Sequence, residues 1–168
     1  MSDKKVQKLV VSALMAALTY VATMVVRIPS PMNGYVNLGD CFVLLSGWLL
    51  GPWYGGAAAG IGSMLTDLLS GYGYYAPGTF VIKGLDALVA ALIFKAMGRT
   101  SAAAIVSGVV GEIIMVVVGY FGYAGLLLGK GIGAAASIPG NLVQAAMGLV
   151  IGFVLLKVMQ KTRIAEKI

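Results

Sequence analysis

The sequence predicts an all-α membrane protein, a bundle of six transmembrane helices with both termini in the cytoplasm. Of its 168 residues, 60% are hydrophobic and 11% are charged, and the mean hydropathy is +0.95. Soluble domains carry roughly 25% charged residues. At roughly 20 residues per membrane span, the length fits about six helices in one membrane-embedded domain, residues 1–168, with no room for a soluble domain.

The helix boundaries follow from apolar runs that Pro and Gly interrupt. The first span covers residues 9–28 and ends at Pro29 and Pro31, which cannot continue a helix, and a loop over 29–39 follows. Spans over 40–50 and 53–69 meet at the tight turn Gly51-Pro52. After a loop over 70–78, the remaining predicted spans are 79–97, 102–123 and 137–159.

The basic residues indicate the orientation of the chain. All Lys and Arg residues except Arg27, Lys83 and Lys130 lie at the N-terminus, in the turn between the fourth and fifth spans, or in the C-terminal tail. Because Lys and Arg are enriched on the cytoplasmic side, this pattern places both termini on the cytoplasmic side of the cell membrane. The net charge of +6 is therefore a topology signal, and we expect no nucleic-acid partner.

Cysteine and histidine usage limits the available chemistry. The chain has one cysteine, Cys41, and no histidine, so an internal disulfide is excluded and the usual metal and acid–base chemistry is largely absent. We expect no metal, no cofactor and no enzymatic activity.

Five ionisable residues lie inside or at the edge of the apolar spans: Asp40, Asp67, Lys83, Asp86 and Glu112. Each costs a few kcal/mol in hydrocarbon unless it is paired or hydrated, so these side chains should face the bundle interior. In the six-span topology the first four share the outer third of the bundle, and Glu112 lies nearer the middle. The same outer layer contains further polar and aromatic residues: Tyr35, Asn37, Tyr72, Tyr74, Tyr75, Tyr120, Tyr123, Asn141 and Gln144.

Two interpretations of this polar layer remain open. The charges could form structural ion pairs, for instance Asp67 with Lys83 or Lys83 with Asp86, and interfacial tyrosines often only anchor a helix. Alternatively, aromatic walls with a few placed polar groups suit a pocket for a small heterocycle. The two Gly- and Tyr-containing loops at this depth, which could act as lids, favour the pocket.

Small residues at a spacing of four mark helix contact faces in lipid. In the third span the pairs are Gly56 with Gly60, Ala58 with Gly62, and Ala59 with Ser63, and we predict that they pack inside the bundle. The first span carries Ser12, Ala13, Ala16 and Ala17. For that stripe, internal packing and docking of a partner subunit are both open.

Several motifs together resemble a known family. The runs Tyr35–Asp40, Leu50–Gly55, Asp67–Tyr72 and Tyr75–Gly84 are similar to the substrate-binding S components of energy-coupling factor (ECF) vitamin transporters, and the similarity spans nearly the whole chain. The resemblance implies a six-helix membrane protein that captures a vitamin or precursor outside the cell. It also implies that the chain associates with a transmembrane coupling subunit and two ATPase subunits, and topples in the membrane to release its cargo inside.

The resemblance also implies roles for particular residues. Ala13 and Ala17 would contact the coupling subunit, and the segments Tyr35–Asp40 and Tyr72–Pro77 would gate the pocket. Family ligand contacts come mainly from the last three helices and these loops, which nominates Lys83, Asp86, Glu112, Tyr120 and Asn141. With the polar layer described above, the candidate binding residues are Tyr35, Asn37, Asp40, Asp67, Tyr75, Lys83, Asp86, Glu112, Tyr120, Asn141 and Gln144.

The best cargo hypothesis is a pyridoxine-like or hydroxymethylpyrimidine-like ring, with riboflavin as the alternative. The chain has no Walker-type phosphate-binding run, so the energy for transport must come from partners. Two other function classes stay open. One is an intramembrane enzyme using Asp67, Asp86 or Glu112 as acid or base, and the other is a stand-alone ion-coupled transporter.

Overall fold

The protein forms a helical bundle with a small β-hairpin at one end. The computed structural model describes residues 3–30 and 34–165. Within these ranges the elements are α1 (Asp3–Val25), β1 (Arg27–Ser30), β2 (Gly34–Asn37), α2 (Asp40–Leu69), α3 (Ala76–Ala96), α4 (Ser101–Ile113) and α5 (Ile138–Lys161). After α4 come π-helical segments over Ile114–Phe121 and Tyr123–Leu127, and a 3-10 helix over Gly131–Ser137 leads into α5.

The prediction of a plain loop over 29–39 was wrong. The chain leaves α1 at Val25, earlier than predicted, and residues 27–30 pair antiparallel with residues 34–37, Arg27 opposite Asn37 and Pro29 opposite Tyr35. Pro29 is tolerated because both strands of a two-stranded sheet are edge strands. Four-residue strands are too short to produce a clear alternation of apolar and polar residues, so the expectation of an all-α fold missed them.

The second and third predicted spans form a single element, α2, that folds back on itself. Gly51 adopts φ 80° and ψ −177°, a backbone conformation that favours glycine, and Pro52 follows it. Gly55 packs so closely against Ser46 and Gly47 that a Cβ at Gly55 would overlap the Ser46 carbonyl. Ser46 and Gly55 are nine positions apart and would lie about 13 Å from each other in a straight helix. Their close contact therefore shows that α2 consists of two antiparallel arms.

Consequently the predicted count of six helices is not confirmed, because the described chain contains five α-helices with two arms in α2. Within residues 3–30 and 34–165, four helical segments are long and apolar enough to cross a membrane: Asp3–Val25, Ala76–Ala96, Ser101–Leu127 and Gly131–Lys161. These lengths and compositions fit a multi-pass membrane protein.

The helices run back and forth between two ends of the bundle. We call the end with β1, β2, residues 70–75 and the starts of α3 and α5 the hairpin end. The opposite end, with the start of α1, the Gly51 bend, residues 97–100 and the end of α5, is the termini end. There Lys157 Nζ donates a hydrogen bond to Ser101 Oγ at 2.6 Å, which holds the end of α5 against the start of α4.

Glycines let the helices approach closely, as predicted for the third span. A Cβ at Gly62 would overlap the carbonyl oxygen of Ala16 in α1, and one at Gly60 would lie 2.7 Å from the carbonyl oxygen of Phe80 in α3. The second arm of α2 therefore packs between α1 and α3, which confirms the prediction of internal packing.

The apolar core lies toward the termini end. Its buried members include Leu44, Trp48, Phe94, Ala103 and Leu156. Trp48 Nε1 donates a hydrogen bond to Ser107 Oγ at 2.9 Å, so the indole nitrogen is satisfied. The buried polar side chains discussed next lie in the half of the bundle nearer the hairpin end.

Candidate functional site

Four buried polar side chains form one connected network. Lys83 Nζ makes an ion pair with Asp40 Oδ1, and Gln144 Nε2 donates to Asp40 Oδ2 at 2.7 Å. Gln144 Oε1 accepts hydrogen bonds from the Asn37 backbone N at 3.0 Å and from Asn37 Nδ2 at 2.9 Å. The network therefore joins β2, α2, α3 and α5, and each of its side chains is at most 7% exposed.

Local sequence positions these residues at the same depth. Asp40 is the first residue of α2, where a carboxylate is favoured by the partial positive charge of the helix N-terminus. Asn37 Oδ1 accepts a hydrogen bond from Gly39 N at 2.8 Å, a local turn that ends β2 and leads into α2. Lys83 and Gln144 each lie about two turns into helices that start at the hairpin end.

Lys83 pairs with a different carboxylate from the two that the sequence suggested. Among the described residues its partner is Asp40, and not Asp67 or Asp86. Asp67 Oδ1 instead accepts a 2.6 Å hydrogen bond from the Tyr35 hydroxyl. Burial, together with the nearby Asp67 carboxyl, raises the pKa of the Tyr35 phenol above its ordinary value, so the phenol remains a donor at neutral pH.

A layer of tyrosines covers the network at the hairpin end. Successive ring centroids lie 5.1 Å apart for Tyr35 and Tyr72, 6.4 Å for Tyr72 and Tyr74, 4.9 Å for Tyr74 and Tyr75, 6.3 Å for Tyr75 and Tyr120, and 6.1 Å for Tyr75 and Tyr123. These separations suit tilted or edge-to-face contacts between aromatic rings. The layer connects the hairpin, residues 70–75 and the extension of α4.

Hydrogen bonds hold this tyrosine layer in place. The Tyr123 hydroxyl donates a hydrogen bond to the Tyr74 carbonyl oxygen at 2.9 Å. Lys130 Nζ donates a hydrogen bond to the Tyr75 hydroxyl, also at 2.9 Å. Deeper in the site, the Tyr120 hydroxyl lies 3.2 Å from Thr79 Oγ1, and its ring centroid lies 5.6 Å from Lys83 Nζ. Tyr120 thus links the tyrosine layer to the ion pair.

Asp86 and Glu112 lie beside the network without joining it. They are 0% and 3% exposed, which confirms the prediction that they face the interior. Neither carboxyl group has a hydrogen-bond partner among the described residues. Glycines on neighbouring helices give these groups room: a Cβ at Gly111 would overlap Asp86 Oδ1, and one at Gly148 would lie 3.0 Å from Glu112 Oε1.

The structure thus gathers the predicted residues into adjoining groups. Asn141 is also buried, one turn before Gln144 on the same side of α5. Thr79 and Gly148 also lie at this site and were not predicted from the sequence. Thr79 lies four residues before Lys83 and so shares its helix face, a spacing that could have indicated it. The close approach of Gly148 to Asp40 has no comparable sequence signal.

Two of the surface depressions lined by described residues lie outside this network. At the hairpin end, a pocket of about 320 Å³ is lined by Arg27, Pro29, Tyr35, Ser70 and Tyr72. Along the outside of the bundle, α1 and the second arm of α2 form an apolar groove of about 740 Å³. Its lining residues are Leu9, Ser12, Ala13, Ala16, Ala17, Tyr20, Trp53, Tyr54, Ala57, Ala58, Ile61 and Leu65.

The groove shows which residues of the small-residue stripe of α1 are exposed and which are packed inside the bundle. Ala13 and Ala17 are exposed within it, whereas the Ala16 carbonyl contacts Gly62. One edge of the stripe therefore packs inside the bundle, and the other edge remains open on the surface.

Comparisons with known proteins agree with this architecture. The family model described as "ECF-type riboflavin transporter, S component" matches residues 3–161. An uncharacterized protein of Pyrococcus woesei is 42% identical over 133 residues, which cover 79% of this chain and 87% of that protein. The thiamine precursor transporter HmpT of Lactococcus lactis subsp. cremoris (strain MG1363) is 27% identical over 167 residues, 98% of this chain and 94% of the relative.

Solved structures share the fold. The S component of a bacterial ECF transporter superposes with a TM-score of 0.72 at 21% identity, covering 94% of this chain and 98% of that one. The S component for biotin from an ECF-type ABC transporter gives 0.63 at 22% identity, covering 94% and 95%. The matched family and these structural neighbours are transporter subunits.

Proposed function

Because the chain belongs to the ECF-type riboflavin transporter S component family, we propose that it captures a small water-soluble vitamin or vitamin precursor at its hairpin end. The cargo we propose is a small polar heterocycle of the pyridoxine or hydroxymethylpyrimidine type. The similarity to a thiamine precursor transporter over nearly the full chain supports this class of cargo.

The observation that carries the proposal is the network of Asn37, Asp40, Lys83 and Gln144. A chain in lipid has no need to bury an ion pair, since desolvation of two charges costs more than an apolar replacement would. Here four elements converge on that pair, and aromatic rings cover it. Convergent polar groups beneath aromatic walls are typical of small-molecule sites.

The proposed binding residues belong to two functional parts. Those nearest the ion pair would contact the ligand: Asp40, Lys83, Asp86, Glu112, Tyr120, Asn141 and Gln144. Those of the hairpin and of residues 70–75 would close over it, together with the end of α2: Tyr35, Asn37, Asp67 and Tyr75. The bonds from Tyr35 to Asp67 and from Asn37 to Gln144 support a closed hairpin in this structure.

We also propose the orientation of the chain in the cell membrane. Counting the two arms of α2 separately gives six helical segments within the described residues, and the start of α1 and the end of α5 both lie at the termini end. Basic residues of α1, of the turn near Arg99 and of α5 cluster there, so the termini end would face the cytoplasm. The hairpin end would then face outward, where the ligand arrives.

Transport by this chain would require partners. The open groove along α1 suits close packing against another membrane helix, because small residues let backbones approach in lipid. We propose that the face containing Ala13 and Ala17 docks a transmembrane coupling subunit, which in turn works with two ATPase subunits.

The cargo can be tested by releasing it. The chain is purified from its membrane, denatured, and the freed small molecules are identified by mass spectrometry. The proposal expects a vitamin-type heterocycle in stoichiometric amount, which calorimetry then shows to rebind with micromolar or tighter affinity. Absence of any ligand, together with no binding across the vitamin set, would contradict it.

Riboflavin is the second candidate, favoured by the description of the matching family. Its three-ring system is much larger than a pyridine or pyrimidine ring and would need a larger cavity. The same released-ligand measurement separates the two, because the flavin has a distinctive mass and absorbance.

A further inference from the structure

Arg27 is one of three basic residues that lie away from the termini end, and the membrane topology does not explain it. The other two have partners, because Lys83 is in the buried ion pair and Lys130 donates a hydrogen bond to the tyrosine layer. Arg27 is exposed, and it has no hydrogen-bond or ion-pair partner in the described part of the chain. A guanidinium carries five N–H donors and is always charged, so Arg27 is available to an external acceptor.

Arg27 lines the pocket of about 320 Å³ at the hairpin end. The other lining residues are Pro29 on the same strand, Tyr35 on β2, and Ser70 with Tyr72 after the end of α2. Arg27 and Pro29 are two positions apart on β1, so their side chains lie on one face of the strand, and Tyr35 is paired opposite Pro29. The pocket is small for a ligand site and suits one compact group better than a large ring system.

The pocket offers more free hydrogen-bond donors than acceptors. The Tyr72 hydroxyl makes no hydrogen bond within the described ranges, and Ser70 Oγ donates only to the Met24 sulfur at 3.2 Å, which is a weak acceptor. The Tyr35 hydroxyl already donates to Asp67, which is itself buried and does not line the pocket. With Arg27, these donors complement an anionic group that brings several oxygen atoms.

The chain on either side of the pocket is apolar and exposed. Val25 lies two residues before Arg27, and Leu69 lies directly before Ser70, and both side chains are exposed. At the end of a membrane span, exposed apolar side chains contact lipid chains, whereas a long cationic side chain reaches the headgroup layer. The pocket therefore combines donors for an anion with an apolar surrounding that suits acyl chains.

We propose that this pocket binds the phosphate of a phospholipid from the leaflet at the hairpin end, with Arg27 as the charged donor and Ser70 and Tyr72 as neutral donors. Arginine can hold a phosphate through two parallel N–H bonds. A cation two residues after α1 also complements the helix dipole, but that role needs neither a pocket nor further donors.

A bound phosphate would fasten the strand that lacks a tether of its own. Tyr35 and Asn37 hold β2 to the bundle, whereas the described side chains of β1 make no hydrogen bond. Phosphate held between Arg27 and Ser70 would join β1 to the end of α2. This site is separate from the buried network and does not depend on which cargo the network binds.

The ligand side of the test uses a matched pair of lipids. Native mass spectrometry of the intact chain compares phosphatidylglycerol with a diacylglycerol that has the same acyl chains and no phosphate. One phosphatidylglycerol should bind at least roughly tenfold more tightly than the diacylglycerol, because only the former makes charge-assisted hydrogen bonds. Inorganic phosphate in large excess should not displace the lipid, because it lacks the acyl chains.

The protein side uses Arg27→Gln, which keeps a polar side chain and removes the charge. This variant should bind phosphatidylglycerol roughly tenfold more weakly and diacylglycerol as the wild type does. Its melting temperature without lipid should be unchanged, because Arg27 is exposed and unpaired in the described chain. Lys95→Gln, which removes an exposed cation in the last turn of α3, is the matched control and should alter neither affinity.

Hydrogen exchange shows whether the lipid acts at the hairpin. Bound phosphatidylglycerol should slow amide exchange over residues 27–37 in the wild type and in Lys95→Gln, and it should have no such effect in Arg27→Gln. Exchange over 27–37 that the lipid leaves unchanged in the wild type would contradict a site at β1.

The remaining outcomes decide the identity of the ligand. Equal affinity for the two lipids would overturn the proposal, and so would full retention of phosphatidylglycerol binding by Arg27→Gln. Displacement of the lipid by inorganic phosphate would show a site for free anions and overturn the lipid assignment. An equal loss in Lys95→Gln would show that binding follows net charge alone, which also overturns it. None of these results bears on vitamin binding at the buried network, so the two proposals can fail separately.

Discussion

Lys83 and Asp40 are each almost fully buried, and their ion pair is braced by Gln144. In a bundle surrounded by lipid, the desolvation of two charges offsets most of the attraction between them. The pair therefore adds little net stability compared with an apolar pair, but removal of one partner leaves an uncompensated charge in the interior. This asymmetry can be measured.

Lys83→Met should destabilise the ligand-free protein by about 3–5 kcal/mol, because Asp40 is left without its counter-charge. The double variant Lys83→Met with Asp40→Asn should recover most of that loss, since the amide oxygen that the second substitution introduces can still accept a hydrogen bond from Gln144. Thermal unfolding in one detergent compares the wild type and both variants. A single variant as stable as the wild type, or a double variant less stable than the single one, would contradict this account of the pair.

The sequence identified which side chains are interior but not how they pair. A charge inside an apolar span must find a partner or water, so the burial of Asp40, Lys83, Asp86 and Glu112 was predictable. Which of these side chains pair depends on how each helix is rotated about its own axis. Close helix–helix contacts at glycines determine that rotation. The bond from Gln144 to Asn37 joins residues 107 positions apart, and no local pattern encodes it.

Helix positions in the bundle were largely predictable, because long apolar runs ended by Gly or Pro mark spans reliably. The predicted segments 79–97 and 137–159 correspond to α3 and α5 within a few residues. The hairpin and the π-helical extension of α4 were not. Residues 114–127 are apolar throughout, and nothing in such a run distinguishes π-helical from α-helical turns.

The hairpin is held to the bundle by side chains at one strand, β2. Tyr35 bonds to Asp67 at the end of α2, and Asn37 bonds to Gln144 on α5. Because the two strands have no other sheet to pair with in the described ranges, these tethers and the ring contact with Tyr72 hold the hairpin closed. The Tyr35 tether can be removed without changing the size of the ring.

Tyr35→Phe should lower stability at neutral pH by about 1–3 kcal/mol, because the partly buried Asp67 Oδ1 loses its hydrogen-bond donor. The pKa of the Tyr35 phenol is raised in the folded state, whereas the unfolded phenol ionises near its ordinary value of about 10. Above that pH the Tyr35 phenol ionises in the unfolded wild type before it ionises in the folded one, which favours unfolding. The stability advantage of the wild type over Tyr35→Phe should therefore shrink as pH rises. Parallel melting curves measure the difference, and a difference that grows with pH would contradict the tether.

The molecule combines a buried polar site with a separate apolar groove on its surface. The polar site lies near the hairpin end, and the apolar groove between α1 and the second arm of α2 runs along the outside of the bundle. Separation of this kind lets ligand binding and partner docking be disrupted independently. The sequence indicated both the polar site and the small-residue stripe of α1. It could not decide whether that stripe is open, because this depends on how much of it α2 covers.

Ala13→Trp should block assembly with the coupling subunit and leave ligand affinity unchanged, because the indole would fill the groove without reaching the polar site. Leu14→Trp is the matched control, since Leu14 is exposed on α1 but does not line the groove. Co-purification with the partner subunits and calorimetry with ligand measure the two properties. Loss of ligand binding in Ala13→Trp would show that the stripe is internal packing.

We propose that side chains from β2, α2, α3 and α5 meet to bind a small heterocycle. Calorimetric titration of the purified chain with the vitamin set tests this proposal, comparing the wild type with the Lys83→Met and Asp40→Asn double variant. We expect micromolar or tighter binding by the wild type and at least roughly 100-fold weaker binding by a double variant that still folds. Equal affinity in the two proteins, or no binding by the wild type, would rule out a ligand site at these side chains.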